Sequence, residues 1–283
     1  MNPPVCASVY GVSLSLLSGL GREAAIGKVA AAGFREVELT SHPAVLDNWP
    51  GAPAATRRAL EAAGLRVRSV HTPAEGWLNA EPDEAVRQAS VRAAMSCLRP
   101  AAEVGAGTVV WHANYHETPV PADLWPASRA LSLDSLAAFA ARAKELGLRV
   151  AVENTPDIGN PRPCTTVEDV LRLIDGLGPE IGVCLDAGHS RANALDPAAE
   201  ARLAGSRLYA VHIQDNAGPG ADGHLVPHRA MEDWDRLMAT LDEIGYAGGR
   251  MFEIHPAGAG GDPDAALARL AELARRWSGG FVC

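Results

Sequence analysis

Short runs of β-branched and apolar residues recur along the chain, and each is followed by an Ala- and Leu-rich stretch whose apolar positions return with helical period. That alternation is the pattern of βα units wound around a parallel sheet. Eight such runs can be marked: Ala7 to Val12, Glu36 to Thr40, Val67 to His71, Thr108 to His112, Arg149 to Asn154, Ile181 to Asp186, Leu208 to Ile213 and Arg250 to His255. Their spacing of about 35 residues suits a barrel. Glycines at Gly33, Gly64, Gly147 and Gly245 close helices just ahead of the next strand. The pattern predicts one α/β domain, a single (β/α)8 TIM barrel over residues 1–283, with outer helices such as Leu131 to Leu146 and Pro263 to Trp277. Pro/Gly-rich stretches, among them Pro119 to Pro126 and Ala217 to Gly223, fall mostly after strand ends, where a barrel carries its working loops.

What stands at the strand ends points to chemistry. The third run ends at His71, the fourth at Trp111-His112, the fifth at Glu153-Asn154, and the sixth at Asp186 with His189 just beyond. The seventh ends at His212 through Asp215 and the eighth at Glu253 with His255. Parallel barrel strands aim their C-terminal ends at one mouth, so these residues are expected to converge. Apolar strands such as Val150-Ala151-Val152 that run into a carboxylate are hard to read as solvated surface. Three crowded carboxylates repel unless a cation lies among them. Glu153, Asp186, His212 and Glu253 are therefore the expected ligands of a divalent metal, with Mn2+ favoured and Zn2+, Co2+ or Mg2+ as alternatives.

His71, His112 and His189 are candidate ligands or substrate contacts, each balanced against an ordinary interior histidine. Asp222 and His224 are possible additional metal ligands, balanced against a solvated loop with a local turn. Trp77 and Trp111 could stack on a sugar ring or pack on their neighbours. The glycine-rich turn Ala257-Gly258-Ala259-Gly260-Gly261 is a weak phosphate signal.

Composition narrows the partners. Lys and Arg total 25 against 34 Asp and Glu, a formal charge of -9, which is the wrong sign for a protein that works on phosphate backbones. Only Lys28 and Lys144 are lysines, and both fall in expected helices, so a Schiff-base mechanism lacks its amine. The five cysteines are scattered without a C-x-x-C pair, which suits a reducing cytoplasm. The opening Val5 to Leu20 lacks a basic lead-in and reads as a first strand rather than a leader, and no stretch approaches a membrane span.

The pieces Val152-Glu153-Asn154, Cys184-Leu185-Asp186-Ala187-Gly188-His189, His212-Ile213-Gln214-Asp215-Asn216, Asp222-Gly223-His224-Leu225-Val226-Pro227 and Glu232-Asp233-Trp234 resemble the xylose isomerase-like barrel superfamily, especially its sugar phosphate isomerase/epimerase branch. The resemblance covers nearly the whole chain and implies the same four metal ligands. It also implies that Glu153 and Glu253 move a proton at the carbon beside a metal-bound carbonyl, that His189 holds a substrate oxygen, and that the partner is a small sugar-like molecule; homo-oligomers are common in such families. Free-ketose 3-epimerases have a substrate Glu and an Arg where this chain has Gly159 and Gly218. Where a Pro-Gly-x-Gly is usual, the chain reads Pro227-His228-Arg229-Ala230, so His228 and Arg229 become candidate substrate contacts.

Endonuclease IV shares the barrel, and His71, His112, His189, Asp222 and His224 could supplement the four ligands to build a three-zinc phosphodiesterase centre. The same mouth would also suit a lyase of the inosose dehydratase or C-glycoside-cleaving type, or a non-catalytic sugar-binding subunit.

Overall fold

The computed structural model describes residues 9–41, 48–113, 120–159, 164–227 and 233–278. Its eight strands are β1 (Tyr10–Ser13), β2 (Glu36–Thr40), β3 (Arg66–His71), β4 (Thr108–His112), β5 (Arg149–Glu153), β6 (Ile181–Asp186), β7 (Leu208–Ile213) and β8 (Arg250–Phe252). Each pairs in parallel with its sequence neighbour, and β8 returns to β1, closing the (β/α)8 barrel that the hydrophobic pattern predicts. Four strands differ in their bounds from expectation, β3 starting one residue earlier at Arg66 and β5 ending one residue earlier at Glu153. β1 begins at Tyr10, while Ala7 and Ser8 lie outside the described residues, and β8 stops at Phe252, so Glu253 and His255 stand just beyond it.

Strand alternation sorts the side chains into two layers. Residues such as Val109, Val150, Val152, Val183 and Val211 join the large apolar layer between sheet and helices. The alternate residues Val110, Ala151, Cys184 and Ala210 form a small separate cluster inside the barrel. Each of these four stands two positions before His112, Glu153, Asp186 or His212, so the same inward face that carries small apolar groups below carries polar groups above.

Helix starts have a consistent cause. Side chains of Asp83, Thr166, Asp196, Asp233 and Asp262 accept first-turn amide hydrogens, satisfying donors that the helix itself leaves open. Gly33 follows the helix Arg22–Ala31 with φ 95°, a left-handed turn that only glycine adopts without strain. One helix is longer than its sequence pattern suggests. It runs Trp125–Glu145 rather than starting at Leu131, because Pro126 sits in the first turn, where a missing N–H costs nothing. Trp111 is 1% exposed and stacks on Phe139 of that helix at 5.8 Å, so it packs the sheet–helix layer and the sugar-stacking alternative is set aside for it. Among the described residues no helix is long and apolar enough to cross a membrane.

Candidate metal centre

Glu153, Asp186, His212 and Glu253 arrive from β5, β6, β7 and the end of β8, and their potential ligand atoms lie within 4.8 Å of one another. His212 Nδ1 is 3.0 Å from Glu153 Oε1, 3.0 Å from Glu253 Oε2 and 3.9 Å from Asp186 Oδ2. Two further sets adjoin this one, His71 and His112 with Glu153, and His189 with Asp222 and His224, and a third, Cys184 with Glu153 and His212, overlaps it. His71 Nε2 and His112 Nε2 approach the second Glu153 oxygen to 3.2 and 2.9 Å. His189 Nε2 and His224 Nε2 lie 3.5 and 3.3 Å from Asp222 Oδ1. The residues singled out at the strand ends therefore converge, and Glu153 stands where the first two sets meet.

The ring orientations carry the chemical argument. His71 Nδ1 lies 2.9 Å from the Thr72 carbonyl, His189 Nδ1 2.8 Å from the Asn154 carbonyl, and His224 Nδ1 2.9 Å from the Glu253 carbonyl. A carbonyl can only accept, so each Nδ1 carries the hydrogen and each neutral ring turns the lone pair of Nε2 towards a carboxylate. His212 is fixed in the opposite sense, with Nε2 3.0 Å from Glu38 Oε2 and Nδ1 towards Glu153 and Glu253. Lone pair facing carboxylate is repulsive unless a proton or a metal ion lies between. The buried Asp186 Oδ2 also lacks any hydrogen-bond partner. A buried carboxylate oxygen without a donor is costly, and a cation removes the cost. The donor set fits a divalent metal.

Without a cation, protons supply the missing charge. Burial alone drives an imidazole towards neutrality, but the hydrogen bond and charge of Glu153 overcome it and raise His71 to about 9. Against the same burial, Asp186 and Asp222 raise His189 to about 10, and Asp222 and Glu253 raise His224 to about 9. His212 is likewise held well above its ordinary value by acids that include Glu253, Glu38 and Glu153. Burial lifts Asp186 to about 6. Glu153 and Glu253 fall below the usual carboxylate range despite burial, chiefly through His212. Cys184, which adjoins Glu153 and His212, is pushed well above the usual thiol value by burial.

Polar residues that carry no ligand atom hold the arrangement. Asn154 accepts the Asp186 amide hydrogen at 2.8 Å and donates to the Asp186 carbonyl at 3.2 Å. Asp186 Oδ1 accepts from the amide of His189 at 2.7 Å and from Gln214 Nε2 at 3.1 Å, which leaves Oδ2 towards the cluster. Asp215 and Leu225 exchange backbone hydrogen bonds of 2.9 Å, closing the loop between them so that Asp222 and His224 face His189. Of these two, His224 is buried, whereas Asp222 is exposed on the loop. His224 pays for its place with φ 41°, a left-handed conformation unusual outside glycine. Gly258 accounts for part of the glycine-rich turn: a Cβ there would lie 1.9 Å from the His224 carbonyl oxygen.

Glu38 is not marked by its sequence context. It is fully buried, accepts from Ser69 Oγ at 2.7 Å and orients His212. A carboxylate behind a metal-binding histidine fixes the tautomer and strengthens the donor. Its one signal in the sequence is a position two residues before the C-terminal end of a strand.

The cluster opens into a cavity of about 610 Å3 at the C-terminal mouth, lined by His71, His112, His189, Asp222, His224 and Glu253 among others. Glu253 reaches this wall, whereas Glu153 is fully buried beneath it. Trp77 also lines the cavity and stacks on His112 at 4.3 Å. His255 stacks on His224 at 3.8 Å. His228 and Arg229 lie outside the described residues.

A closed parallel barrel with acids and histidines gathered at its C-terminal mouth defines the class of this protein. Residues 26–277 match the xylose isomerase-like TIM barrel family, and the chain belongs to it. Solved structures share the fold at low identity. A D-tagatose 3-epimerase-like protein superposes with a TM-score of 0.82 at 21% identity, over 95% of this chain and 97% of that one. A 3-keto-D-glucoside 4-epimerase from E. coli gives 0.80 at 18% identity, over 94% and 98%. A D-psicose 3-epimerase determined in the presence of D-fructose gives 0.77 at 19% identity, over 96% and 99%. An uncharacterized protein, y4fM, of Sinorhizobium fredii is 34% identical over 73 residues, a match spanning 26% of this chain and 23% of that protein's length.

Proposed function

We propose that this chain is a divalent-metal-dependent enzyme that isomerises or epimerises a sugar or sugar derivative by moving a proton at the carbon next to a carbonyl. The observation that carries the reading is the buried set Glu153, Asp186, His212 and Glu253 at the barrel mouth, with lone pairs facing carboxylates and Asp186 Oδ2 left without a donor. Sugar epimerases among the structural neighbours agree with it. These four residues would hold the ion, and an oxygen-rich set with one imidazole suits Mn2+, with Zn2+, Co2+ or Mg2+ able to replace it. When bound, the ion supplies a positive charge that stabilises the negative charge developing on a substrate oxygen.

The protein groups do the rest. Glu253, on the cavity wall, takes or returns the substrate proton, while Glu153 partners it from below. His71, His112 and His189 present ring nitrogens to substrate oxygens. Cys97 and Cys184 are buried free thiols, in keeping with a cytoplasmic setting. The test is solvent deuterium uptake into candidate ketoses. Uptake is expected with the metal-loaded protein, and Glu253→Gln should slow it by roughly 10^2- to 10^4-fold; undiminished exchange in that variant rejects the role given to Glu253.

A second reading is favoured by the two adjoining sets. Because His71, His189 and His224 all turn an Nε2 lone pair towards a carboxylate, the centre could hold three cations, with Glu153 shared between neighbouring positions. Such a centre suits hydrolysis of a phosphate ester. Metal content of protein purified without chelator separates the two: a value near one per chain supports the isomerase, and a value near three supports the multinuclear hydrolase.

A further inference from the structure

A second cavity lies at the other end of the barrel from the metal centre. Its lining includes Glu36, Arg66, Thr108 and Arg149, the first residues of β2, β3, β4 and β5, which places it at the N-terminal end. Its volume of about 370 Å3 is at the lower end of the range for small-molecule sites. Among the described residues that line it, four guanidinium groups, from Arg57, Arg66, Arg68 and Arg149, face two carboxylates, Glu36 and Glu61. The lining thus carries two positive charges in excess, in a chain whose formal charge is -9. The acids do not occupy all the donors. Arg66 meets Glu36 through Nη2 at 2.5 Å, Arg68 approaches it through Nε at 3.1 Å, and Arg57 meets Glu61 through Nε at 2.8 Å. A guanidinium has five N–H groups in a planar fork, so these contacts leave further donors on each. Arg149 is exposed, and its Cζ lies 4.8 Å from the centroid of the Tyr209 ring, which steadies the charged head without using its N–H groups. Leu60, Leu65, Val67 and Val104 line the same space, each less than a tenth exposed.

From this lining we propose that the N-terminal cavity binds a small phosphate monoester, its phosphate among the guanidinium groups and its organic part against the apolar side chains. A phosphate monoester carries a charge of about -1.5 to -2 at neutral pH, which matches the excess of two. Guanidinium forks pair with phosphate oxygens through two parallel hydrogen bonds, a geometry a lone ammonium does not offer. A bare phosphate ion would leave the apolar lining unused. The site is independent of the chemistry proposed at the mouth.

Calorimetry on the full-length Mn2+-loaded protein tests this with phenyl phosphate and inorganic phosphate as probes. Phenyl phosphate is expected to bind roughly threefold or more tightly than inorganic phosphate, from the apolar area it removes from water. Arg149→Gln, a change at an exposed position, should weaken phenyl phosphate by roughly tenfold or more, the loss of a hydrogen bond to a charged group. Glu153→Gln, at the mouth, should leave that affinity as in the parent. Affinity untouched by Arg149→Gln, or lost in Glu153→Gln, would put the phosphate elsewhere and overturn the site. Equal affinity for the two probes, no binding of either, or tighter binding of a short single-stranded DNA than of phenyl phosphate overturns the monoester assignment.

Discussion

Glu36 and Glu38 stand two positions apart on the same face of β2, and both are buried. Glu36, near the N-terminal end of the barrel, is met by Arg66 at 2.5 Å and Arg68 at 3.1 Å. Glu38, one layer higher, meets Ser69 and the imidazole of His212. The same contrast holds for the two ends as wholes. Below, a buried acid has permanent guanidinium partners. Above, Glu153, Asp186 and Glu253 have, among the described residues, no Lys or Arg partner, only histidines whose charge depends on protons. A guanidinium neutralises an acid for good, whereas an imidazole can surrender its proton to make room for a metal. Glu36 is neutralised by permanent charges within the protein, and the acids at the mouth, among the described residues, are not.

Substitutions at each end should separate these roles. The largest effect is expected from Glu153→Gln, which removes the carboxylate that three ligand sets share: turnover should fall by roughly 10^2- to 10^4-fold, with metal content falling alongside. Near-native activity with full metal content would break the comparison. Glu38→Gln should next weaken metal binding by roughly 10- to 100-fold, read by competition with a chelating dye, because His212 loses its charged orienting partner. Glu36→Gln provides the control. It should cost about 1–3 kcal/mol of stability in denaturant unfolding, since its guanidinium partners remain partly exposed. Its metal affinity should stay as in the parent, and a drop like that of Glu38→Gln would erase the distinction.

The smallest expected effect is on pH dependence. His71, His189 and His224 bind protons more tightly folded, at about 9, 10 and 9, than at the ordinary 6.5 of the unfolded chain. The stability they contribute is complete below pH 6.5 and disappears as pH rises through 9 to 10. The melting temperature of metal-free protein should therefore decline across that window. Metal-loaded protein should show a shallower slope, because a cation at Glu153, Asp186, His212 and Glu253 offsets part of the negative charge that raises these histidines. A flat metal-free profile would show that the histidines do not carry the compensating charge.

The barrel could be read from the chain because parallel strands buried on both faces give apolar runs that stand out between amphipathic helices, as at Val150-Ala151-Val152 and Ile181 to Leu185. The cluster at the mouth was legible for a related reason: an acid or histidine that ends such a run has no ordinary place to go. Glu38 is hidden because Glu-Val-Glu-Leu-Thr alternates like a half-exposed strand, and only closure of the sheet brings β2 within reach of β7. Trp111 was ambiguous since a one-residue step along β4 decides between mouth and outer layer, a choice fixed by pleat rather than composition. Gln214 and Asn154 act through hydrogen bonds to Asp186, whose geometry no spacing rule encodes.

The clasp between Asp215 and Leu225 carries an evolutionary implication. Glu153, Asp186 and His212 are built into strands, where any shift disturbs the whole barrel, but Asp222 and His224 hang on one short excursion pinned at its neck. Editing some ten residues there can delete or restore those two side chains while the scaffold stays intact. Descendants of one ancestor can thus diverge between simple and elaborate inorganic centres through a local change, with the fold as silent bystander.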